Sequence, residues 1–185
     1  PRRPSFVLAG SYAFHDRAKL DRGSLGRAPL DEGTTDFHHA QADLMLKAAG
    51  FSLTSEFHWR AGIREFGAGT IVDELGDEVP APRVAARNGL GYFVQAGFLI
   101  PRAPVELTAR WGQIIGLGDA GETSLPDAAE VGGGVSWYIA RHSLKLQADY
   151  FRLRSDTFDP LTPSFVHQPW SRSVDQVRVQ LQLAF

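Results

Sequence analysis

Some neighbouring side chains in this sequence are of the types that carry out hydrolysis or bind metal ions. They occur as His15-Asp16, as Asp36 with His38 and His39, and as His142-Ser143. A hydrolase needs a nucleophile or a water-activating base that is oriented by a third group. No such set is recognisable from these spacings, and adjacent strand residues such as His38 and His39 would point to opposite faces. We therefore predict no enzyme activity, no metal site and no other cofactor.

A glycine-rich segment, Gly116-Leu-Gly-Asp-Ala-Gly121, has the spacing of a dinucleotide-binding loop. That function requires a helix that begins at the last glycine and directs its N-terminus at the pyrophosphate. Pro126 would interrupt the first turns of such a helix. We interpret the segment as an ordinary loop.

The composition excludes further classes of protein. The chain has 185 residues, a formal net charge of -2 and no cysteine. A small negative charge gives no general attraction to nucleic acid, and the absence of cysteine excludes disulfides and thiolate chemistry. No apolar stretch approaches the roughly 18 residues that a membrane-spanning helix requires. The chain is long enough for one domain, which we assign to residues 1–185.

The main signal is alternation, because apolar residues recur at every second position in separate runs along the chain. The C-terminal run has Val177, Val179, Leu181, Leu183 and Phe185 in phase, with Arg178, Gln180 and Gln182 between them. In a strand, this period places apolar side chains on one face and polar side chains on the other. Comparable runs begin near residues 5, 39, 51, 91, 105, 130 and 144. We expect eight strands.

The connections between these runs alternate in length. Long polar segments cover about residues 15–36, 67–88, 115–128 and 154–172, and tight turns lie at Ala49-Gly50, Pro101–Pro104 and Ala140–His142. A soluble β-sandwich also has alternating strands, but it has no reason for this asymmetry. A transmembrane β-barrel has it, with the long connections outside. We predict an all-β fold, a transmembrane antiparallel up-and-down β-barrel in the outer membrane of a Gram-negative bacterium, in contact with lipid and lipopolysaccharide.

Aromatic residues of the apolar face fall near the strand ends, as they do at membrane interfaces. One predicted girdle contains Tyr12, Phe14, Trp59, Tyr92 and Trp111, and the other contains Phe51, Phe98, Trp137 and Phe185.

The second half of the chain resembles a known family. Asn88-Gly-Leu-Gly-Tyr-Phe-Val-Gln-Ala-Gly-Phe98 is similar to the G-x-Y-V-Q-A-G-Y strand of the phosphate-selective (O and P type) porins, and Val105–Trp111 is similar to their x-E-L-x-A-R-Y strand. Val131–Tyr138 with His142–Tyr150 resembles a later strand pair of that family, and the chain end resembles its usual ending. The resemblance implies a C-terminal half of a 16-stranded barrel, usually found as a trimer.

The predicted function is a porin, a passive channel for small hydrophilic solutes or ions with a lumen of mixed charge. By parity, the inward charges are Lys47, Arg60, Arg64, Arg110, Lys145 and Arg178 against Asp43, Glu56, Glu106, Glu130 and Asp149. We expect the pore to be lined by Glu56, Arg60, Arg64, Glu106, Arg110, Lys145, Asp149 and Arg178. The dense arginine ladder of the family is not visible.

Two alternatives stay open. In the first, the chain closes as a narrow eight-stranded barrel with a structural, anchoring or partner-binding role, and its charges form internal ion pairs. In the second, the barrel is completed by a second chain, because unpaired edge strands are not tolerated in lipid. Pairing between the first strand, Ser5 to Phe14, and the last, Gln176 to Phe185, distinguishes closure from a missing half.

Overall fold

The computed structural model describes residues 3–118, 123, 125–140, 143–155 and 172–183, and these form an all-β structure. The main strands are β1 (Ser5–Ala18), β2 (Thr34–Ala48), β3 (Phe51–Glu65), β6 (Gly89–Leu99), β7 (Val105–Gly116), β8 (Ala128–Tyr138), β9 (Leu144–Ser155) and β10 (Arg172–Leu183). A small hairpin, β4 (Thr70–Val72) and β5 (Glu78–Pro80), lies in the connection between β3 and β6.

The eight main strands form one antiparallel sheet in which each strand pairs with its neighbour in the chain, in the order β1-β2-β3-β6-β7-β8-β9-β10. The register pairs residues that were predicted to lie on the same face. Gln95 pairs with Arg110, and Arg110 pairs with Gly132 on its other side. Residues that pair directly across two strands share a face of the sheet. The prediction of eight alternating strands is therefore confirmed.

The tight turns lie at one end of the sheet, which we call the turn end. Ala49 and Gly50 both have positive φ, 49° and 85°, as the two central residues of a two-residue hairpin turn require. The next turn contains Arg102 at φ 67°, and Ile100 N donates to Val105 O at 2.9 Å. The predicted turn at Ala140–His142 falls partly on residues 141 and 142, which are outside the described residues.

The opposite end, where the long connections leave the sheet, is called the loop end. Here the strands are longer than predicted. β1 continues to Ala18 and β2 starts at Thr34, so only residues 19–33 remain between them instead of 15–36. The ladder extends beyond the alternating run because backbone hydrogen bonds do not depend on side-chain polarity. The hairpin β4–β5 was also not expected, while most of the predicted 154–172 connection and Phe185 lie outside the described residues.

The sheet has two unpaired edges. Within the described residues, β1 pairs only with β2 and β10 pairs only with β9, and no ladder joins β1 to β10. All twelve residues of β10 are exposed, so neither of its faces is covered. In the described part of the chain the sheet is therefore an open one.

The two faces of the sheet have opposite chemistry. Leu8, Tyr12, Trp111 and Val177 lie on one face and are 68, 64, 55 and 72% exposed. Residues from all eight strands line a single open cavity of about 1330 Å³ on the other side of the sheet, and this cavity is bordered by Ser11 of β1 as well as Gln176 of β10. The sheet therefore curls about its polar face, which is concave, and its apolar face is convex.

The buried core is small and lies at the loop end. The fully buried apolar side chain of the sheet is Phe37, at 1% exposure, and Ala81 and Ala86 of the segment after β5 are buried as well. The β1–β2 connection lies beside this segment, since Gly69 N donates to Asp31 O at 3.0 Å and Ala81 N donates to Gly69 O at 2.9 Å. Packing in the described residues thus comes from the connections.

Candidate functional site

The eight predicted lining residues all lie on the concave face, because each is in register with other residues of that face. They are Glu56, Arg60, Arg64, Glu106, Arg110, Lys145, Asp149 and Arg178. Their common placement follows from strand parity, and their role in lining a pore stays a prediction. Most of their charges have partners, which the following contacts show.

Arg110 is held between an acid and an aromatic ring. Its Nε donates to Glu130 Oε1 of the neighbouring strand at 2.5 Å, and its guanidinium lies 3.8 Å from the centroid of the Phe93 ring on the other side. Both members of the ion pair are about 30% exposed. A guanidinium that is paired on one edge and stacked on one face has lost most of its freedom to follow a passing ion.

The same arrangement recurs at the last strand. Arg178 Nε donates to Asp149 Oδ1 at 2.8 Å, and the Arg178 guanidinium lies 5.2 Å from the Phe151 ring centroid. Asp149 is more covered than its partner, with 12% of the side chain exposed against 56% for Arg178. The two ion pairs join adjacent strands and neutralise charge along the concave wall.

At the turn end an aromatic hydroxyl takes the place of the arginine. Tyr138 OH donates to Glu106 Oε2 at 2.5 Å, and Lys145 Nζ lies 5.7 Å from the Tyr138 ring centroid. Tyr138 therefore connects two of the predicted residues, which the parity argument did not anticipate. Glu56, farther along the wall, lies 3.4 Å from His58 Nε2, and both side chains are well exposed.

Arg64 lies under the β1–β2 connection. Its side chain is only 8% exposed and forms an ion pair with Asp31, which is 2% exposed and belongs to the β1–β2 connection. Arg64 Nη1 also donates to Thr35 Oγ1 at 3.2 Å. The connection covers this end of the wall and Arg64 holds it in place, while a role for Arg64 in lining a pore stays a prediction.

Arg60 has a different environment from the paired arginines. Its guanidinium lies 3.8 Å from the Phe37 ring centroid, and its Nη2 donates to the backbone oxygen of Asp21 at 2.5 Å. Its Nε is buried and has no acceptor among the described residues. Arg60 therefore has a fixed position but no carboxylate partner, and it lines the large cavity together with Arg22 and Arg87.

Among the described side chains first considered for catalysis, His15 and His39 come together, with ring centroids 5.3 Å apart. His38 Nδ1 and Tyr12 OH form a hydrogen bond at 2.6 Å, and the His38 ring packs on Phe14 on the convex face. The His39 ring packs on Phe37 on the concave face. The prediction that His38 and His39 point to opposite faces is confirmed. Asp36 accepts a hydrogen bond from Arg17 N at 2.7 Å. Residues 119–121 of the glycine-rich segment lie outside the described residues.

Several residues of the concave wall were not predicted. Asn88 joins the β5–β6 connection to β3, since its Oδ1 accepts from Gly62 N at 2.6 Å and its Nδ2 donates to Gly62 O at 3.1 Å. Thr123 Oγ1 donates to Asn88 O at 2.6 Å. Asp31 carried no signal of its own, because an acid in a polar segment is normally solvated. Phe37 and Phe93 could have been noticed as aromatic residues on the polar phase of their strands.

Comparison with known proteins gives no assignment: no protein-family model, curated protein or solved structure matches the chain. The described residues contain no helix that is long and apolar enough to span a membrane.

Proposed function

We propose that this chain forms the wall of a passive diffusion channel for small hydrophilic solutes or ions in a bacterial outer membrane. The observation that carries the proposal is the division of one curled eight-stranded sheet into an exposed apolar convex face and a charged concave face around a cavity. A lipid environment and an aqueous passage are the surroundings that suit these two faces.

The convex face supports the lipid part of the proposal. Its exposed side chains extend from Phe6 and Leu8 on the first strand to Leu181 and Leu183 on the last. An apolar surface that continues over eight strands is larger than the few hundred Å² found on soluble monomers, and in water it would drive aggregation. In hydrocarbon the same surface carries no such cost.

The concave face supports the passage. The cavity on this face, about 1330 Å³ in volume, has room for many water molecules. The wall charges near its middle are neutralised in neighbouring pairs such as Arg110–Glu130 and Arg178–Asp149. A wall of this kind has little preference between cations and anions, which fits weak selectivity.

The unpaired edges favour a larger barrel over a narrow one. Exposed N–H and C=O groups are not tolerated in hydrocarbon, so β1 and β10 need further strands, from this protein or from a second chain. The lateral ion pairs are what the narrow-barrel alternative predicts, but they join adjacent strands and leave the cavity open. Sixteen strands, and a trimer, are what the resemblance to the phosphate-selective porins implies.

Planar-bilayer recording tests the channel directly. The purified protein should give stepwise currents, because the proposed barrel encloses an aqueous passage for hydrated ions. The chain has no cysteine, so single cysteines at Gln95 on the concave face and Val94 on the convex face can be modified selectively. A bulky cationic thiol reagent should reduce the step size of Gln95→Cys and leave that of Val94→Cys unchanged. Absence of step currents at every voltage would contradict the proposal.

A disulfide test distinguishes the half-barrel from the narrow barrel. Ser11 of β1 and Gln176 of β10 border the same cavity from opposite edges, whereas Gln147 and Gln180 are direct partners on β9 and β10. A disulfide requires Cα atoms within about 7 Å. Oxidation should therefore link Gln147→Cys to Gln180→Cys within one chain and leave Ser11→Cys and Gln176→Cys unlinked. An efficient intrachain link between the last two would instead support a closed eight-stranded barrel.

A further inference from the structure

The concave face carries apolar side chains near the loop end, at positions where a purely aqueous wall would be polar. Phe93 of β6 and Ile114 of β7 lie on this face by register, and Leu125 of the β7–β8 connection lines the same cavity. Ile114 is 42% exposed. Toward the turn end, the next positions on these two strands are Gln95 and Thr108, and the exposed apolar side chains of the same face there are Val7, Met45 and Leu99. The wall therefore has an apolar region that the passage of ions alone does not require.

Three arginines lie at the same end of the cavity. Arg60, Arg87 and Arg22 all line it, and Arg60 is within electrostatic reach of the other two, which repel it. In the part of the chain that the structure describes, none of them forms an ion pair with a carboxylate, unlike Arg64, Arg110 and Arg178. The Asp21 carboxylate is also within electrostatic reach of Arg60 and offsets part of this charge. Three cations that face one space still attract an anion into it.

Arg60 is also held in advance of any ligand. The Phe37 ring supports one face of its guanidinium, and the backbone oxygen of Asp21 accepts from Nη2. A fixed guanidinium loses little conformational freedom when it binds a carboxylate, which its planar donor pattern matches. Arg87 is half-buried, so its freedom is also restricted.

The wall beside the apolar side chains is open. Gly91 pairs with Ile114 and lines the cavity, and a Cβ added at this position would meet nothing closer than 3.7 Å. A larger side chain there is compatible with the backbone and would project into the cavity. The position therefore offers a way to fill the space without disturbing the strand.

We propose that this region binds an amphipathic carboxylate, an aromatic or short aliphatic acid. The carboxylate lies on the guanidinium groups of Arg60 and Arg87, with Arg22 adding charge at the entrance. The hydrocarbon part lies on Ile114 and Leu125, beside Phe93, whose ring also carries the Arg110 guanidinium. A strongly hydrated inorganic anion gains nothing from the apolar wall and loses hydration beside it, so the wall favours the amphipathic ligand.

The site is built on the central strands β3, β6 and β7 and on the connections beside them, so it does not depend on what pairs with β1 and β10. As a statement about which solutes use the channel, the inference rests on the proposed function. Ligand binding is measured without recording conductance. A protein that binds the ligand but does not conduct, or conducts but does not bind, can therefore be recognised.

Isothermal titration of the refolded full chain in detergent with 2-naphthoate tests the inference. Neutral 2-naphthamide and inorganic phosphate serve as comparison probes, and a titration of protein-free micelles corrects for partitioning. We expect 2-naphthoate to bind at least about tenfold more tightly than either comparison probe, since the loss of a charge-assisted pair or of the apolar contact costs about that much.

Variants locate the site. Arg60→Gln and Arg87→Gln should each weaken 2-naphthoate binding about tenfold or more, and Gly91→Leu should abolish it by filling the space. Arg102→Gln, in the exposed turn between β6 and β7, is the matched control and should bind as the unaltered chain does. Arg87→Gln keeps the test decisive if Arg60→Gln does not fold.

Three results would overturn the inference. The first is equal binding of 2-naphthoate and 2-naphthamide, which would show apolar partitioning alone. The second is tighter binding of phosphate than of 2-naphthoate. The third is unchanged binding of 2-naphthoate in Arg87→Gln and Gly91→Leu.

Discussion

The two ends of the concave face differ in what holds them. At the loop end, Phe37 and Asp31 are almost fully buried and an ion pair to Arg64 attaches the β1–β2 connection to the sheet. At the turn end, the contact between Tyr138 and Glu106 lies on a partly exposed wall. The described part of this sheet therefore does not form a core by folding on itself. It has a packed end where the connections cover it, and elsewhere its surroundings must stabilise it.

The largest difference between the two ends should come from removing an acid at each. Asp31→Ala leaves Arg64 buried without its counter-charge and should lower the free energy of unfolding by about 3–5 kcal/mol. Glu106→Ala removes one hydrogen bond from a partly exposed tyrosine and should cost about 1 kcal/mol. Urea unfolding in detergent, followed by tryptophan fluorescence, measures both.

The exposed pair of Arg17 and Asp16 supplies the control, because both side chains are about 70% exposed. Asp16→Ala should change the free energy of unfolding by about 1 kcal/mol or less. Equal losses for Asp31→Ala and Glu106→Ala would show that the loop end has no special packing.

A smaller difference should appear when a methyl group is added at each end. The Cβ of Gly62→Ala would lie 2.6 Å from Cδ1 of the buried Phe37 ring, so the ring would have to shift. The Cβ of Gly97→Ala would meet Ser52 Oγ and Glu106 Oε1, the ends of side chains that can rotate away. We expect a loss of about 1–3 kcal/mol at Gly62 and about 0.5 kcal/mol or less at Gly97.

The same urea titration measures both glycine variants, and each should keep the unfolding slope of the unaltered chain. A loss at Gly97 as large as that at Gly62 would place rigid packing at the turn end too, and the contrast between the ends would fail.

The faces and the short hairpins were predictable from the sequence, whereas the packed end was not. Strand period places Gln95 and Arg110 on one face whatever the rest of the chain does, and Ala49-Gly50 sets the register of β2 on β3. The pair Arg110–Glu130 depends on the register between β7 and β8, which a long connection leaves undetermined. The burial of Asp31 depends on Arg64, a residue 33 positions away, and no local pattern reports that.

Neither the small hairpin nor the pairing of the edge strands could be predicted from the sequence. Strands of three residues, such as Thr70–Val72, are too short to show a period. The alternation of β1 and β10 shows which of their faces is apolar but contains no information about the strand beside them. The apolar region at Phe93 and Ile114 was hidden because parity assigns a side chain to a face without stating what that face binds.

The central claim is that the convex face contacts lipid and the concave face contacts water. Leu107 and Thr108 are adjacent on β7 and lie on the convex and the concave face. Each is replaced in turn by cysteine, labelled with a small environment-sensitive fluorophore and reconstituted in lipid vesicles. We expect nitroxide-labelled lipid to quench the label at Leu107→Cys and aqueous iodide to quench the label at Thr108→Cys. Quenching of both labels by iodide and of neither by lipid would contradict the central claim.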